Sequence, residues 1–492
     1  NTLQYAWLRQ LVGDDGNLFV VGDDDQSIYS WRGAKVENMQ RFQRDYPKHE
    51  IIRLEQNYRS TGNILSAANA LIANNPSRLG KELWTDGSDG EPITLYAAYN
   101  DIDEARFCVE RISQCHERGD RYDECAVLYR VSAQSRVIED ALRQADIPYR
   151  VHGGFKFYER AEIKDALAYL RLATFRGDDA AFERIVNTPT RGVGQRSIDA
   201  LRTTARLEQV TLWEAARRII DTRELGSRAI SALERFLDLI DRLSVAIEGH
   251  ELGRVIEIVV EHSGLVDHYK KEKGDRGLDR IENLEELVTA ARDFQPGDDA
   301  EEMPLVAAFL SHAALEAGEG QAGAHEDSVQ LMTLHSAKGL EFPQVFLVGV
   351  EEGLFPHQRS SEDARQLEEE RRLCYVGITR AMRHLTICHA ESRRLHGSEY
   401  YPQPSRFIRE IPAKLLNEVR LGGRVGSAVG GGIAEAATAT GLTLGQRVSH
   451  KSFGEGIVLH LEGRGENARV QVNFESDGIK WLVAAYAGLE TV

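Results

Sequence analysis

Apolar positions recur along this chain with two different periods, and the switches between them outline its organisation. Leu3, Trp7 and Leu11 fall on every fourth residue, one stripe of an amphipathic helix. Leu18 to Val21 is a short apolar run leading into the polar loop Gly22 to Ala34, and it predicts a strand. A helical run through Glu37, Phe42 and Tyr46 then stops at Pro47. Ile51 to Leu54 predicts the next strand, and Ser60 to Asn74 a helix with Ile64, Leu65, Ala68, Leu71 and Ile72 on one side. Ala126 to Tyr129, Gln134 to Gln144 and Tyr149 to Val151 repeat the order strand, helix, strand. Such alternation predicts parallel sheets covered by helices.

From about Ala161 to Leu315 the spacing is helical throughout, with polar breaks at Gly274 to Gly277 and Gln295 to Asp299. Strands return at Val329 to Thr333 and Val345 to Val350, followed by a charged helix from Glu362 to Met382 and a strand from Leu385 to Cys388. The simplest organisation is an α/β domain interrupted by an all-helical insertion. Between Gly422 and Gly441 there are seven glycines, five alanines and no aromatic residue, a composition that predicts a flexible tether. Beyond it, Val470, Val472 and Phe474 alternate with Gln471 and Asn473, and a turn at Phe453 to Gly456 precedes Ile457 to Leu461. That is the pattern of a small antiparallel SH3 or Tudor-like barrel.

Composition narrows the classes. With 492 residues, 42% hydrophobic and 28% charged, the chain has room for roughly three or four domains and is neither disordered nor collagen-like. No stretch approaches the roughly 18 uncharged apolar residues of a membrane span, which gives a cytoplasmic reading with no membrane partner. Lys+Arg 60 against Asp+Glu 77 leaves a net charge of -17, so any nucleic-acid contact must be local. Cys108, Cys115, Cys125, Cys374 and Cys388 are scattered, with no CxxC pair, and predict reduced, mostly buried thiols and no zinc site. The chain opens with Asn1 directly into an amphipathic run, as the middle of a domain would.

Four strings carry candidate chemistry. GDDDQSIYSWRGA, Gly22 to Ala34, interleaves Tyr29 and Trp31 with Arg32, which suits base stacking on single-stranded nucleic acid; its aspartates also imitate a metal-binding strand end. Gln56 to Ser60 sets Arg59 near a helix amino terminus, where orphan N–H groups favour phosphate, or is an ordinary capping turn. Thr333 to Phe342 contains Lys338-Gly339, but a P-loop needs its glycines ahead of the lysine, and GxxxxGK[ST] occurs nowhere in the chain. Arg380 closes YVGITRAM on a charged helix whose Glu368 to Arg372 run reads as a solvated face.

Taken together these strings resemble the superfamily 1 DNA helicases of the UvrD, PcrA and Rep group. GDDDQSIYSWRGA resembles motif III, RLEQNYRST motif IV, LYRVSAQSRVIEDAL motif IVa, LMTLHSAKGLEFPQVFLVG motif V and EEERRLCYVGITRAM motif VI, while GQRVSHKSFGEGIV and GIKWLVAAYAGLE resemble the C-terminal Tudor-like module of UvrD and PcrA. The resemblance implies a RecA-like α/β fold: residues 1–54 as the remainder of a first motor domain, 55–152 and 321–421 as two parts of a second, 153–320 as the helical insertion, 422–442 as linker and 443–492 as the barrel. It also implies that the Walker A and Walker B motifs, the main ligands of ATP and Mg²⁺, lie outside this sequence.

Carried over by position, the resemblance makes Gln26 a sensor between the ATP γ-phosphate and the DNA loop, Tyr58 an adenine-packing ring, Glu341 a ribose contact, and Arg59 and Arg380 γ-phosphate ligands. Tyr29, Trp31, Arg32, His335 and Lys338 would hold single-stranded DNA. Gly192, Gly194 and Ser197 in TRGVGQRS would meet duplex phosphate, unless the glycines only make a tight turn. After motif VI, Leu385 to Leu395 and Glu399 to Phe407 would be arms of a hairpin with His396 as its strand-separating pin, unless Tyr400 or Tyr401 stacks instead. The implied partners are single-stranded DNA and its junctions with duplex, mismatch and excision repair proteins, RNA polymerase through the barrel, and further copies of the protein on DNA. The competing reading is a non-catalytic DNA-binding or protein-interaction module; a helicase–nuclease fusion is disfavoured by the barrel at the C-terminus.

Overall fold

The computed structural model describes residues 1–13, 16–30, 33–272, 275–296, 303–318, 326–361, 363–395, 398–419, 446–451, 454–462, 469–474, 478–483 and 489–491. Trp31, Arg32, His396 and the expected tether at 422–442 lie outside them. The chain divides into two compact units, Asn1–Glu418 and Val419–Val492.

The larger unit is built on one sheet. Its strands are β1 (Ile93–Ala98), β2 (Cys125–Tyr129), β3 (Tyr149–Val151), β4 (Val329–Thr333), β5 (Phe342–Leu347) and β6 (Ala381–Ala390). Beyond a separate hairpin of β7 (Arg393–Leu395) and β8 (Ser398–Tyr400), β9 (Leu416–Val419) closes the sheet, in the order β3-β4-β2-β5-β6-β1-β9. The five contacts among β1 to β6 are all parallel. β2 shows why such a strand reads as continuously apolar: Ala126 and Leu128 enter one core, and Cys125, Val127 and Tyr129 the other. Helices Gly62–Ile72 and Ala364–Ile378 cover the first face; Asp101–Glu117 and Ser135–Gln144 cover the second.

Between β3 and β4 the chain runs through helices from Ala161–Thr174 to Leu305–Gly318, whose apolar side chains form a core of their own around Tyr169, Phe182, Phe236 and Phe309. In the smaller unit, Arg447–His450, Gly454–Glu462, Arg469–Phe474, Gly478–Val483 and Glu490–Thr491 form a five-stranded antiparallel sheet, with Val470 and Val472 fully buried. All five cysteines are buried and unbridged. Among the described residues no helix is long and apolar enough to cross a membrane.

Several expectations need correction. Leu18 to Val21 and Ile51 to Leu54 are not strands: Phe19, Val21, Ile52 and Leu54 are 73–86% exposed, and no described segment pairs with either run. A strand exists only as a member of a ladder. The charged helix ends at Ile378, because Ala381 already pairs with Phe342, and β6 then continues to Ala390. That leaves the hairpin arms only three residues each, with Arg406–Arg409 helical. Gly454 already pairs with His450, so no turn occupies Gly454 to Gly456. Glu368 to Arg372 is not a solvated face: Glu370, Arg371 and Arg372 are buried, held by Arg130, by Glu410 with Asn75, and by Glu368 respectively.

Candidate functional site

Three of the strings converge at the amino ends of β5 and β6. Arg380 follows helix Ala364–Ile378 and immediately precedes β6, which leaves it 2% exposed. Its guanidinium donates only to uncharged oxygens: Val376 O at 3.0 Å, Leu340 O at 3.0 Å and Thr379 Oγ1 at 3.2 Å. Burial, with the positive charge of Arg59 beside it, pulls its pKa down to about 10. Arg59 reaches the same turn, donating to Thr379 O at 3.4 Å, and its Nε is paired with Glu341. Two arginines from elements about 320 residues apart in sequence thus meet over one residue.

The backbone around Arg59 has its hydrogen bonds filled within the protein. The amides of Arg59 and Ser60 donate to Asn57 Oδ1 at 2.8 and 2.9 Å, and those of Thr61, Gly62 and Asn63 to Met382, Ser88 and Asp89 carbonyls. The helix amino terminus expected to favour phosphate is therefore already satisfied by protein. Beside it Tyr58 is 86% exposed, steadied by a 2.8 Å hydrogen bond to Gln56. An exposed ring next to two arginines is a fitting seat for a base attached to a polyphosphate.

The Gly22 to Ala34 loop packs against motif V. Lys338 Nζ donates to Gln26 O at 2.7 Å and stands 5.3 Å from the centroid of the Tyr29 ring; Tyr29 Oη donates to His335 O at 3.2 Å. Gln26, Tyr29, His335 and Lys338 are thereby brought together as one group. Burial and Arg380 lower the Lys338 pKa, with Asp23 opposing them. One carboxylate oxygen each of Asp23, Asp24 and Asp25 lies within 4.8 Å of the others, and each carboxylate already has a protein partner. Asp25 is paired with Arg78, Asp23 with Lys81, and Asp24 accepts from Leu79 N at 2.6 Å. Sequence reasoning passed over Arg78 and Lys81; the signal available was a basic pair three residues apart in a chain that elsewhere sets down three consecutive aspartates.

The glycine loop stands apart, at the start of helix Gln195–Glu208. Gly192 has φ +90°, a conformation glycine adopts without strain. The amides of Arg191, Gly192 and Val193 converge on Asn187 Oδ1 at 2.8, 3.1 and 3.3 Å. These N–H groups face into the loop and Ser197 is buried, while Gly192, Gly194, Gln195 and Arg196 are exposed.

Residues 52–392 match the UvrD-like helicase C-terminal domain, residues 1–47 the UvrD/REP helicase N-terminal domain, and residues 444–490 the PcrA/UvrD tudor domain. The chain belongs to the UvrD-like helicase family. Relatives that match this chain from end to end include DNA helicase II of Escherichia coli and of Salmonella typhimurium, each 59% identical over 495 residues, which are 100% of this chain and 69% of those proteins. The ATP-dependent DNA helicase PcrA of Staphylococcus epidermidis is 40% identical over 500 residues, 99% of this chain and 68% of that protein.

Proposed function

We propose that this chain works as part of an ATP-dependent DNA helicase that translocates 3′ to 5′ along single-stranded DNA and serves nucleotide excision and mismatch repair. The observation that carries the enzyme reading is the meeting of Arg59 and Arg380 at Thr379, contiguous with the Gln26–Lys338–Tyr29 group. Direction and pathway rest on the family resemblance.

ATP supplies the phosphoryl group whose transfer to water drives movement. Arg59 and Arg380 stabilise the negative charge at that group, which is the larger share of what a protein contributes to phosphoryl transfer. For Arg59 to do so its pair with Glu341 must open, freeing the carboxylate for the ribose. Tyr58 packs on the adenine. Gln26 connects this side to the strand side, where Tyr29, His335 and Lys338, with Trp31 and Arg32, hold the single strand. Gly192, Gly194 and the start of the helix at Ser197, held in shape by Asn187, meet duplex phosphate. The residues present suit the nucleotide's anionic end better than Mg²⁺, since Asp23 and Asp25 are paired with Lys81 and Arg78 and Asp24 is held by the Leu79 amide. Repair proteins and RNA polymerase are the partners assigned to the barrel.

Steady-state ATP hydrolysis on single-stranded DNA tests the reading. The chain alone should show none, because it contains no GxxxxGK[ST]. Joining it to an upstream segment that carries this motif, as in the family, should produce DNA-stimulated turnover. Turnover by the chain alone would defeat the half-site argument, and a joined protein without turnover would defeat the helicase reading.

A further inference from the structure

The Asp23–Asp25 string is read by a four-residue segment more than fifty positions away, in opposite order. Arg78 Nε and Nη2 hold Asp25 at 3.1 and 2.8 Å, Leu79 N donates to Asp24 at 2.6 Å, and Lys81 Nζ sits 2.5 Å from Asp23 Oδ1. The segment braces itself: Arg78 Nη2 also donates to Lys81 O at 2.8 Å. Asp24 and Asp25 are 7% and 1% exposed, and the side chains of Arg78 and Lys81 only 17% each, so water screens these pairs weakly. The free oxygen of Asp23 accepts from Gln26 Nε2 at 2.7 Å, while Gln26 O accepts from Lys338. Lys81, Asp23 and Gln26 form one charge-assisted chain, and Gln26 is pinned through both its amide group and its backbone.

We propose that Arg78 and Lys81 are positioning residues of the hydrolytic site: they clamp the aspartate string, and Lys81 sets the Gln26 side chain through Asp23. The proposal rests on the reading of Gln26 as the link between nucleotide and DNA. Three carboxylates this close would repel one another and leave the loop splayed without the clamp. With it, the segment following helix Gly62–Ile72, which is anchored in the sheet's core, dictates where the sensor amide points.

Two measurements test it. In the chain as it stands, Lys81→Met should raise hydrogen exchange at residues 23–30 by roughly tenfold while β2 keeps its protection. In the protein completed with the upstream motor segment, Lys81→Met should lower kcat roughly ten- to a hundredfold at an unchanged KM for ATP, Lys81→Arg should restore it, and Gln26→Ala with Lys81→Met should be no worse than Gln26→Ala. If Lys81→Met does not fold, Lys81→Gln serves the same comparison. Unchanged exchange, an unchanged kcat, or additive losses in the double variant overturns the clamp. A completed parent protein without DNA-stimulated turnover sinks the helicase reading instead, and the exchange result then decides the clamp by itself.

Discussion

The two ends of β6 each carry a buried arginine, and they are treated in opposite ways. Past the carboxyl end, Arg393 lies between Glu104 and Glu351, with Nη2 at 2.7 Å from both and Nε at 3.0 Å from Glu351. Despite burial, those two carboxylates hold its pKa well above the usual value. Before the amino end, Arg380 donates to neutral oxygens and has a second arginine beside it; burial and Arg59 outweigh the more distant Glu341 and Asp23 charges, and its pKa falls to about 10. Below that pH it is charged at a cost that the fold does not repay. A paired buried charge is a strut; we read one kept charged beside another cation as a candidate seat for an anion.

The sharpest way to break this comparison is to exchange the losses. In the completed, ATP-hydrolysing protein, Arg380→Ala or Arg59→Ala should lower turnover by roughly 10³ to 10⁵ and hardly move the urea midpoint of folding. Arg393→Met should do the reverse. Stripped of their partner, Glu104 and Glu351 become uncompensated buried carboxylates, which costs about 3 to 5 kcal/mol in urea denaturation. Similar midpoints for Arg380→Met and Arg393→Met would erase the distinction. A milder probe is tripolyphosphate, a polyanion without a base. At a hundredfold excess over its Kd it should stabilise the chain by about 2.7 kcal/mol, read as a thermal shift that Arg380→Ala abolishes.

The contrast also explains what was legible in the sequence. Arg380, Arg59, Gln26 and Lys338 stand in strings whose order identifies them, and the structure brings them together. The sheet was readable at β2, where alternating side chains enter two cores, and the helical insertion was readable from its unbroken period. β1 and helix Asp101–Glu117 went unread, although Tyr96 and Phe107 stack there at 3.7 Å. Leu18 to Val21 and Ile51 to Leu54 misled because apolar content supplies only half of a strand, and the neighbouring strand supplies the rest. Glu368 to Arg372 misled for the opposite reason. Charges spaced along a helix look solvated until partners such as Arg130 and Glu410, far away in sequence, close over them. Partner identity is what a single sequence withholds, and it separates Arg393 from Arg380.

The smallest expected effect asks whether the strut behaviour extends to a third pair, Arg130 with Glu370, on the same helix that delivers Arg380. Burial pushes the Glu370 carboxyl up, but Arg130, donating at 2.7 to 3.1 Å, and the His357 amide at 3.2 Å hold it below its ordinary value of 4.5. A carboxylate whose pKa is depressed by folding contributes stability that is fully present above the unfolded value and is lost as pH falls through the folded one. Glu370→Gln should therefore destabilise the chain near neutral pH, by less than Arg393→Met because Arg130 is 16% exposed and partly screened. The gap between parent and variant should then narrow as pH falls below the ordinary value of 4.5 and on through the depressed folded one, because the parent's own Glu370 is protonated on the way. Urea midpoints at several pH values measure the gap. A gap that stays constant, or widens, would mean that Glu370 contributes through shape and not charge, and that only Arg393 among these arginines is held as a strut.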